Sequence, residues 1–544
     1  MSKVSPIYPI PKKPDTVSIP SKNKYGQYFT PEMIAEFMIG LADINPQSEI
    51  LEPSSGKGIF IDLLQAKGYK NITAYELDPG LIQKHHRHIV KNQSFVSAPI
   101  DKKFDLIIGN PPYIRWKNLE KELKDELSVN PLWNKYFNSL CDYSYIFILK
   151  SIEHLKENGQ LIFITPEYWL NTTHSKTLRR YMMQQGYFEE IYHFNETPIF
   201  DKVTVSVIIF KFVKSKKKKP FIRLAKYYAK KKLTPSILAK LKAGEPVEWA
   251  EYLTTSQFRP YENWLLTSDD IKKEMKHFEN QCKVNGPVKH SLFATETQYV
   301  TVGDVCDIGN GLVSGLDKAF QLNGETLNEK EKQHQLPVVK AKNMHPYYYD
   351  KITPYIFLND IDDEEILIKE FPNYYKKLLP FKEKLEKRYQ YNKKIPYWKW
   401  VFLRNFNLFS SSKDRIFVPC KERISNKDYF RFAYAGKELY PTQDVTAIFK
   451  KDKVKEDIFY ILAFLNNYRV FQWLLHNGIV KGHIVEFSER PIAGIPFRKI
   501  DWKNAREVEL HDSIVHLTKK YIAEKNPKHL EEINRYFDKL LKQV

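Results

Sequence analysis

The stretch FDLIIGNPPY, residues 104–113, is an apolar run that ends abruptly in a glycine, an asparagine and two prolines. The run 104–108 predicts a buried strand, and the Asn-Pro and Pro-Pro pairs are typical turn signals. Each proline fixes its own φ and lacks an N–H, so a stiff, non-helical link joins Asn110 to Tyr113. This rigidity predicts that an amide and an aromatic ring are presented together at a strand's carboxyl end. A plain turn is the alternative interpretation.

Strand and helix patterns alternate around this stretch, from residue 25 to about 212. We predict helices at 34–42, 59–68, 81–90 and 143–159, a strand followed by a loop at 48–56, and strands near 71–79, 104–112, 160–166 and 203–212. Such alternation is typical of the α/β class, with an open, mostly parallel sheet and helices on both faces.

Composition limits the class of protein. The 544 residues suggest two to four domains, and a hydrophobic content of 42% is sufficient for globular cores. Lys and Arg number 85 against 65 Asp and Glu, a net charge of +20 that favours a nucleic-acid partner. The four cysteines are widely separated and form neither a disulfide framework nor a zinc motif. We expect a cytoplasmic protein with no membrane segment, because no long apolar run occurs.

The segment ILEPSSGKGIF, residues 50–60, reads as a strand, a glycine-containing loop and a helix. In an open α/β sheet this crossover binds nucleotide-like ligands, because Gly56 and Gly58 let the backbone approach and the helix end offers N–H groups. It is not a P-loop, since Lys57 is followed by glycine. Glu76 follows Gly56 by twenty residues and can accept ribose hydroxyls. Together they predict an adenosine-containing cofactor, either a dinucleotide or S-adenosylmethionine.

The order YGQYFTP (25–31), LEPSSGKGIF (51–60), AYELDP (74–79) and GNPPY (109–113), followed by a basic C-terminal half, resembles a known family. It is similar to the adenine-N6 DNA methyltransferases of type II restriction–modification systems, in the group whose target-recognition region follows the catalytic motifs. The resemblance is strong over 24–212 and loose over 240–544. It implies a Rossmann-like, seven-stranded S-adenosylmethionine-dependent domain and a C-terminal mixed α+β target-recognition domain. It also implies double-stranded DNA as substrate, a separate cognate restriction endonuclease and a monomeric enzyme.

The resemblance also implies roles for single residues. Asn110 and Pro111 would accept hydrogen bonds from the target amine, and Tyr113 and Phe200 would stack on a flipped base. Phe200 as ordinary core is the alternative. The residues expected to contact the cofactor are Thr30, Glu52, Ser54, Gly56, Gly58, Glu76 and Phe147. The family commonly has an acid after the third strand, and here Ser94, a backbone group or Asp101 could take its place.

The resemblance and the composition together divide the chain into five segments. These are an N-terminal arm (1–24), a catalytic domain (25–213), a basic linker (214–240), a target-recognition domain (241–504) and a helical segment (505–544). The recognition domain interleaves basic and aromatic residues, a pattern suited to phosphate and base contacts. Its candidate DNA contacts are Lys340, Arg404, Lys421 and Arg423.

Two motifs are interpreted as structural. Cys420 in VPCKE resembles a cytosine-methylase nucleophile but lies some 300 residues beyond GNPPY. The run HHRH, 85–88, is expected to be a solvated helix face without a carboxylate partner, so no metal site is predicted. The competing functions are methylation of protein glutamine or RNA, a bifunctional enzyme that also cleaves DNA, and a non-catalytic DNA-binding module.

Overall fold

The computed structural model describes residues 28–541, except 201–204, 230, 261, 291–294, 392, 425–426 and 482–483. The predicted arm 1–24, the start of YGQYFTP and residues 203–204 of the last predicted strand lie outside the described residues. The chain divides into two compact units, with the boundary between Lys272 and Lys273.

In the described part of the first unit, nine strands form one sheet in the order β3-β2-β1-β4-β5-β7-β6-β8-β9. The strands are β1 (Ile50–Glu52), β2 (Ile72–Glu76), β3 (Val90–Asn92), β4 (Phe104–Gly109), β5 (Leu155–Pro166), β6 (Gly186–His193), β7 (Val207–Lys214), β8 (Phe221–Tyr227) and β9 (Ala250–Ser256). Neighbours from β3 to β5 are parallel, whereas β7 is antiparallel to both β5 and β6. The predicted open, mostly parallel sheet is confirmed for the first five strands.

Strand β4 is buried on both faces, which explains its continuous apolar sequence. Ile107 packs in one apolar cluster, and Leu106 and Ile108 pack in another. Alternate residues of a strand point to opposite faces, so β4 joins two cores. Burial of each such side chain contributes roughly 1.5–3 kcal/mol. Strand β4 is therefore firmly held up to its end, and Asn110 is the next residue.

Along the chain of the first unit, helices alternate with the strands of this sheet, as expected of an α/β domain. They are α1 (Glu32–Gly40), α2 (Ile59–Ala66), α3 (Lys121–Val129), α4 (Pro131–Tyr136), α5 (Ser144–His154), α6 (Lys176–Gln185), α7 (Pro235–Ala243) and α8 (Asp269–Gln281), the last crossing the unit boundary. The predicted helices at 34–42, 59–68 and 143–159 are confirmed, although α5 ends at His154 and β5 follows directly.

The predicted helix at 81–90 is wrong. The segment contains short 3-10 turns at Pro79–Leu81 and Lys84–His86, and it then enters strand β3. Asp78 starts the first turn by accepting a hydrogen bond from the Gly80 N–H at 2.9 Å. His86 is buried rather than solvated. The segment also lacks the regular apolar stripe by which a helix packs against a protein core.

The predicted linker at 214–240 is also wrong, because its middle part, Phe221–Tyr227, is strand β8 of the sheet. Strand β8 pairs with β6 in parallel and with β9 in antiparallel register. Ile222 and Leu224 are buried, while Arg223 between them points outward and pairs with Glu190 at 2.9 Å. The many lysines and arginines of this segment obscured the alternation of buried and exposed residues in the sequence. The sheet therefore has nine strands among the described residues instead of the expected seven.

The second unit mixes helices and strands, as the sequence predicts. Its strands are β10 (Lys283–His290), β11 (Thr295–Thr301), β12 (Cys306–Asn310), β13 (Gln335–Val339), β14 (Thr353–Ile356), β15 (Arg415–Pro419), β16 (Lys421–Arg423), β17 (Ala433–Ala435), β18 (Tyr440–Pro441), β19 (Val445–Lys450), β20 (Ile479–Lys481), β21 (Ile484–Glu486) and β22 (Pro496–Phe497). They form small sheets, of which β12-β19-β15-β17 is the widest among the described residues.

Helices of the second unit are mostly short until its C-terminal part. They are α9 (Val302–Val305), α10 (Asp317–Phe320), α11 (Glu329–Gln333), α12 (Glu364–Glu370), α13 (Pro372–Leu378), α14 (Lys382–Glu386), α15 (Phe406–Phe409), α16 (Ile458–Leu465), α17 (Tyr468–Asn477), α18 (Glu489–Ala493), α19 (Ala505–Glu524) and α20 (Pro527–Leu541). The last two confirm the helical segment predicted from residue 505. Within the described ranges, no helix is long and apolar enough to cross a membrane.

Candidate active site

The loops that follow β1, β2 and β4 meet at one edge of the sheet, because these strands are adjacent and parallel. A cavity of about 350 Å³ lies at this edge. Its lining includes nine of the residues singled out from the sequence, namely Thr30, Glu52, Ser54, Gly56, Glu76, Ser94, Asn110, Pro111 and Phe147. Gly58, Asp101, Tyr113 and Phe200 do not line it.

Glu76 ties the glycine loop to the end of β2. Its Oε2 accepts a hydrogen bond from the Gly56 N–H at 2.7 Å, and its Oε1 accepts one from the Asp78 N–H at 2.8 Å. Gly56 adopts a φ of 54°, which glycine reaches without strain. Each carboxylate oxygen keeps a further lone pair, so Glu76 can still accept hydrogen bonds from a ligand hydroxyl.

Gly58 acts through packing rather than through the cavity. It is the residue before α2, with a φ of 88°, and an added Cβ would lie 2.3 Å from the His86 imidazole. The glycine therefore allows the loop to pass directly over a buried ring.

Glu52 is a buried carboxyl group on the cavity wall. Its side chain is 1% exposed, and its Oε2 has no hydrogen-bond partner among the described groups. Burial raises the pKa of Glu52 well above its usual value, and the nearby carboxylates of Glu76 and Asp62 add to the effect. An orphaned acidic oxygen facing a cavity fits a ligand that carries a positive charge.

The Asn110 side chain is fixed by contacts with three residues. Its Nδ2 donates to the Tyr28 carbonyl at 2.6 Å and lies 3.1 Å from Thr30 Oγ1, while the Tyr113 hydroxyl donates to its Oδ1. The Tyr113 hydroxyl also lies 2.7 Å from the Ile164 carbonyl. A carbonyl acceptor for Nδ2 sets the orientation of the amide, so Oδ1 stays oriented and keeps one lone pair for another donor.

Three aromatic rings lie together beside this amide. Tyr28 and Tyr113 are stacked, with centroids 5.7 Å apart, and Phe200 is 5.7 Å from Tyr28 and 6.4 Å from Tyr113. Phe200 is 5% exposed and belongs to an apolar cluster. The structure thus brings Phe200 to Tyr113, and it also shows the burial that the core interpretation requires.

The far end of the cavity is built from rings and the segment after β3. Phe147, 4% exposed, lies 5.4 Å from Phe95 and 5.3 Å from Tyr143 between ring centroids. Ser94 lines this end, whereas Asp101 is exposed and does not. Of the two side-chain candidates for the missing acid, only Ser94 is placed to contact a ligand there.

The expectation that HHRH lacks a carboxylate partner is wrong. Asp62 of α2 places its Oδ1 2.7 Å from His86 Nε2 and 3.3 Å from His85 Nε2. Together the three side chains form a donor set that could hold a metal ion. His86 is 1% exposed and packs under the glycine loop at Gly58, so this histidine is a buried structural residue rather than part of a solvated face.

The four candidate DNA contacts occupy different environments in the second unit. Lys340 Nζ is paired internally with Asp317 at 2.5 Å and Asp444 at 2.7 Å. Arg404 is partly buried and its Nε donates to the Gly311 carbonyl at 2.6 Å. Lys421 and Arg423 are exposed at the two ends of β16.

Cys420 precedes these two exposed residues. Its Sγ donates to the Gln443 carbonyl at 3.2 Å. This contact agrees with the structural interpretation of the VPCKE motif.

Several cavity residues were not assigned from the sequence. They include Tyr28, Phe29, Leu77, Gln93, Phe95 and Tyr143. Tyr28 lies within the quoted YGQYFTP motif, so its position, but not its stacking, was signalled there. Phe29 lies in the same motif and Leu77 in AYELDP, whereas Gln93, Phe95 and Tyr143 lie outside the quoted motifs and reach the cavity from separate segments of the chain.

Comparison with known proteins agrees with this geometry. Residues 42–200, which include Glu52, Glu76 and Asn110, match the family described as Eco57I restriction-modification methylase. The chain is 44% identical to the type II methyltransferase M.HindII of Haemophilus influenzae over 519 residues, 95% of this chain and 98% of that protein. It is 42% identical to M.HincII of the same species, with the same coverage.

Among solved structures, a similar fold is found in a restriction-modification enzyme. The Type IIL restriction-modification enzyme MmeI in complex with DNA gives a TM-score of 0.57 at 12% identity, over 94% of this chain and 72% of that chain. Such low identity shows the fold alone. The relatives at over 40% identity show more: the chain belongs to the type II methyltransferases of restriction–modification systems.

Proposed function

We propose that the protein transfers a methyl group from S-adenosylmethionine to the N6 amine of a flipped adenine at specific sites in double-stranded DNA. The observation that carries this proposal is the oriented Asn110 amide at the end of β4, beside both the cavity and the aromatic rings. In this role the methylation protects DNA from a cognate restriction endonuclease on a separate chain. We further propose that the enzyme acts in the cytoplasm as a monomer.

The residues of the cavity fit a cofactor with a charged and a neutral part. Glu52 offers an orphaned acidic oxygen for a positive group, and Glu76 has lone pairs for ribose hydroxyls. Thr30 would contact the methionine end of the cofactor, Ser54 and Gly56 its centre, and Phe147 its adenine ring. S-adenosylmethionine supplies a methyl group bound to a positively charged sulfur.

Asn110 and Pro111 would act on the amine that receives the methyl group. The adenine amine is a poor nucleophile because its lone pair is conjugated with the ring. Two acceptors, Asn110 Oδ1 and the Pro111 carbonyl, would bind its two N–H groups and favour tetrahedral geometry at nitrogen. The lone pair then becomes available, and no covalent intermediate is needed. Positioning and fixed dipoles supply the rate enhancement.

Tyr113 and Phe200 would hold the base outside the duplex. A flipped base is usually stacked between aromatic or apolar faces. Here the two rings already lie near each other and next to Asn110. A base held by them would present its amine to the Asn110 side-chain oxygen.

Among the DNA contacts, we retain Arg404, Lys421 and Arg423 and exclude Lys340. The Lys340 ammonium is committed to two carboxylates, so a phosphate contact would require it to leave both. Lys421 and Arg423 share the exposed face of β16, because Glu422 between them points inward to Arg431. Two neighbouring cations on one strand face suit a phosphate backbone.

Base-modification sequencing tests the proposal directly. DNA from a bacterial host that lacks adenine methylation would be sequenced with and without expression of this protein. We expect N6-methyladenine at one short recurring motif only when the protein is expressed. N4-methylcytosine at the motif, or no DNA methylation by a protein that binds S-adenosylmethionine, would contradict the proposal.

A further inference from the structure

Lys150 is a buried lysine in the middle of α5, with its side chain enclosed by the protein. It is 6% exposed, and its Nζ donates to the carbonyls of Phe95 at 2.7 Å, Val96 at 3.0 Å and Ala98 at 2.6 Å. An ammonium group has three hydrogens, so these three acceptors satisfy it completely. The carbonyl dipoles compensate for the loss of water around the charge.

The three carbonyls belong to the segment 93–98, which lies between β3 and β4 and follows β3 directly. This segment is neither helix nor strand, so its carbonyls lack the regular partners of secondary structure. Gln93, Ser94 and Phe95, in its first half, line the cavity. Lys150 therefore supplies three of the hydrogen bonds that hold the cavity wall in place, and the Asn130 side chain adds one more to the Val96 carbonyl at 3.1 Å.

Ring contacts extend this support to the wall itself. The Lys150 ammonium lies 5.1 Å from the centroid of the Phe95 ring, which lies 5.4 Å from the ring of Phe147. Ser94 Oγ accepts a hydrogen bond from the Val96 N–H at 3.2 Å, within the same segment. The wall thus presents rings and backbone to a ligand, and their positions depend on the carbonyls that Lys150 binds.

We propose that Lys150 is a positioning residue that holds the segment 93–98 in the shape that recognises the adenine ring of the cofactor. This inference rests on the assignment of the cavity to S-adenosylmethionine in the proposed function. Lys150 acts through the segment and does not touch the cofactor. It accounts for a serine at the position where related enzymes commonly have an acid, because rings and backbone of a fixed segment then supply the recognition.

Lys214 provides a matched control in the same unit. Its Nζ also donates to three carbonyls, those of Ile152 at 2.9 Å, Glu153 at 3.2 Å and Leu155 at 3.0 Å. None of these three residues lines the cavity. Lys150→Met and Lys214→Met therefore remove the same number and kind of hydrogen bonds, but only the first releases the cavity wall.

The test measures methyl transfer to unmodified DNA and cofactor binding by calorimetry, with full-length protein. For Lys150→Met we expect the KM for S-adenosylmethionine to rise on the order of tenfold, the effect of losing interactions like these. The Kd for 5′-methylthioadenosine, which carries the adenosine half alone, should rise by a similar factor. With saturating cofactor, kcat should stay within about twofold of wild type. Lys214→Met should leave all three constants unchanged.

Two results would overturn the inference. One is a Lys150→Met variant whose KM changes no more than that of Lys214→Met; the other is a loss confined to kcat. If Lys150→Met does not fold, Lys150→Gln, which keeps an amide donor, must show a smaller rise in the same two constants, and unchanged constants would contradict the inference. A wild-type protein that binds no S-adenosylmethionine would instead refute the proposed function.

Discussion

At the residue scale, Tyr113 combines two contacts in one side chain. Its hydroxyl donates to Asn110 while its ring stacks on Tyr28 and faces Phe200. Tyr113→Phe removes the hydroxyl alone, so we expect turnover to fall about tenfold through a less oriented amide. Tyr113→Ala also removes the ring and should weaken base stacking by roughly 1–3 kcal/mol. Fluorescence of 2-aminopurine at the target position separates the effects; equal signals from both variants would contradict this division.

Glu52 gives a prediction about pH. Its pKa is raised by burial, so the stability that it contributes is present below about pH 4.5 and is lost as the pH rises through its folded-state pKa. Glu52→Gln should therefore stabilise the free protein at pH 7.5, by roughly 1–3 kcal/mol, but not at pH 4. The same variant should bind S-adenosylmethionine more weakly. Denaturant unfolding at both pH values checks this, with the exposed Glu122→Gln as control; equal stability of wild type and variant at pH 7.5 would refute it.

At the element scale, helix α2 lies between two glycines with different surroundings, Gly58 before it and Gly68 after it. Gly58 has a φ of 88° and its added Cβ would meet the His86 ring, whereas Gly68 has a φ of 85° and open space. Gly68→Ala should cost only the backbone strain, roughly 1 kcal/mol, and Gly58→Ala clearly more, roughly 2–3 kcal/mol. Thermal unfolding measures both. Equal losses of stability in the two variants would show that the loop shifts and relieves the clash between the added Cβ and His86.

The elements that could be predicted were those whose signal is local. Strand β4 and its Asn-Pro-Pro turn follow from an apolar run buried on both faces and from proline stiffness. The segment 81–90 could not be predicted, because its turns depend on His86 packing under Gly58, 28 residues earlier in the chain. Strand β8 was missed because charge was counted without noticing that Ile222 and Leu224 alternate with Arg223.

The candidate site also contains some residues that could be predicted from the sequence and others that could not. The positions of Glu52, Glu76 and Asn110 at strand ends follow from the motif order, and the structure brings all three to the cavity. Tyr28 stacking and the Lys150 contacts join residues more than fifty positions apart, so no local pattern reports them. Lys340 appeared as a free cation in sequence because its two acidic partners are distant along the chain.

At the scale of the whole molecule, the boundary between the two units follows Lys272 rather than the predicted linker at 214–240, so a fragment should end at Lys272. A fragment ending at residue 240 lacks β9, which pairs along the whole of β8, whereas a fragment ending at Lys272 keeps the nine-stranded sheet. We expect the 1–272 fragment to fold and bind S-adenosylmethionine but to lose sequence-specific DNA binding. The 1–240 fragment should be unstable, because it exposes an unpaired strand edge. Circular dichroism and calorimetry test both; site-specific methylation by 1–272 alone would show that specificity does not reside in the second unit.

In the proposed mechanism, Asn110 acts on the amine while the cavity binds the cofactor independently. The most direct measurement is single-turnover methyl transfer by Asn110→Ala, with cofactor affinity by calorimetry and the product nucleoside identified by mass spectrometry. Wild type should yield N6-methyl-2′-deoxyadenosine, and the variant should lose a factor of about 10² to 10³ in rate, as for loss of one oriented polar group. Its affinity for S-adenosylmethionine should stay near that of wild type. A variant with near-normal methyl transfer would contradict the account.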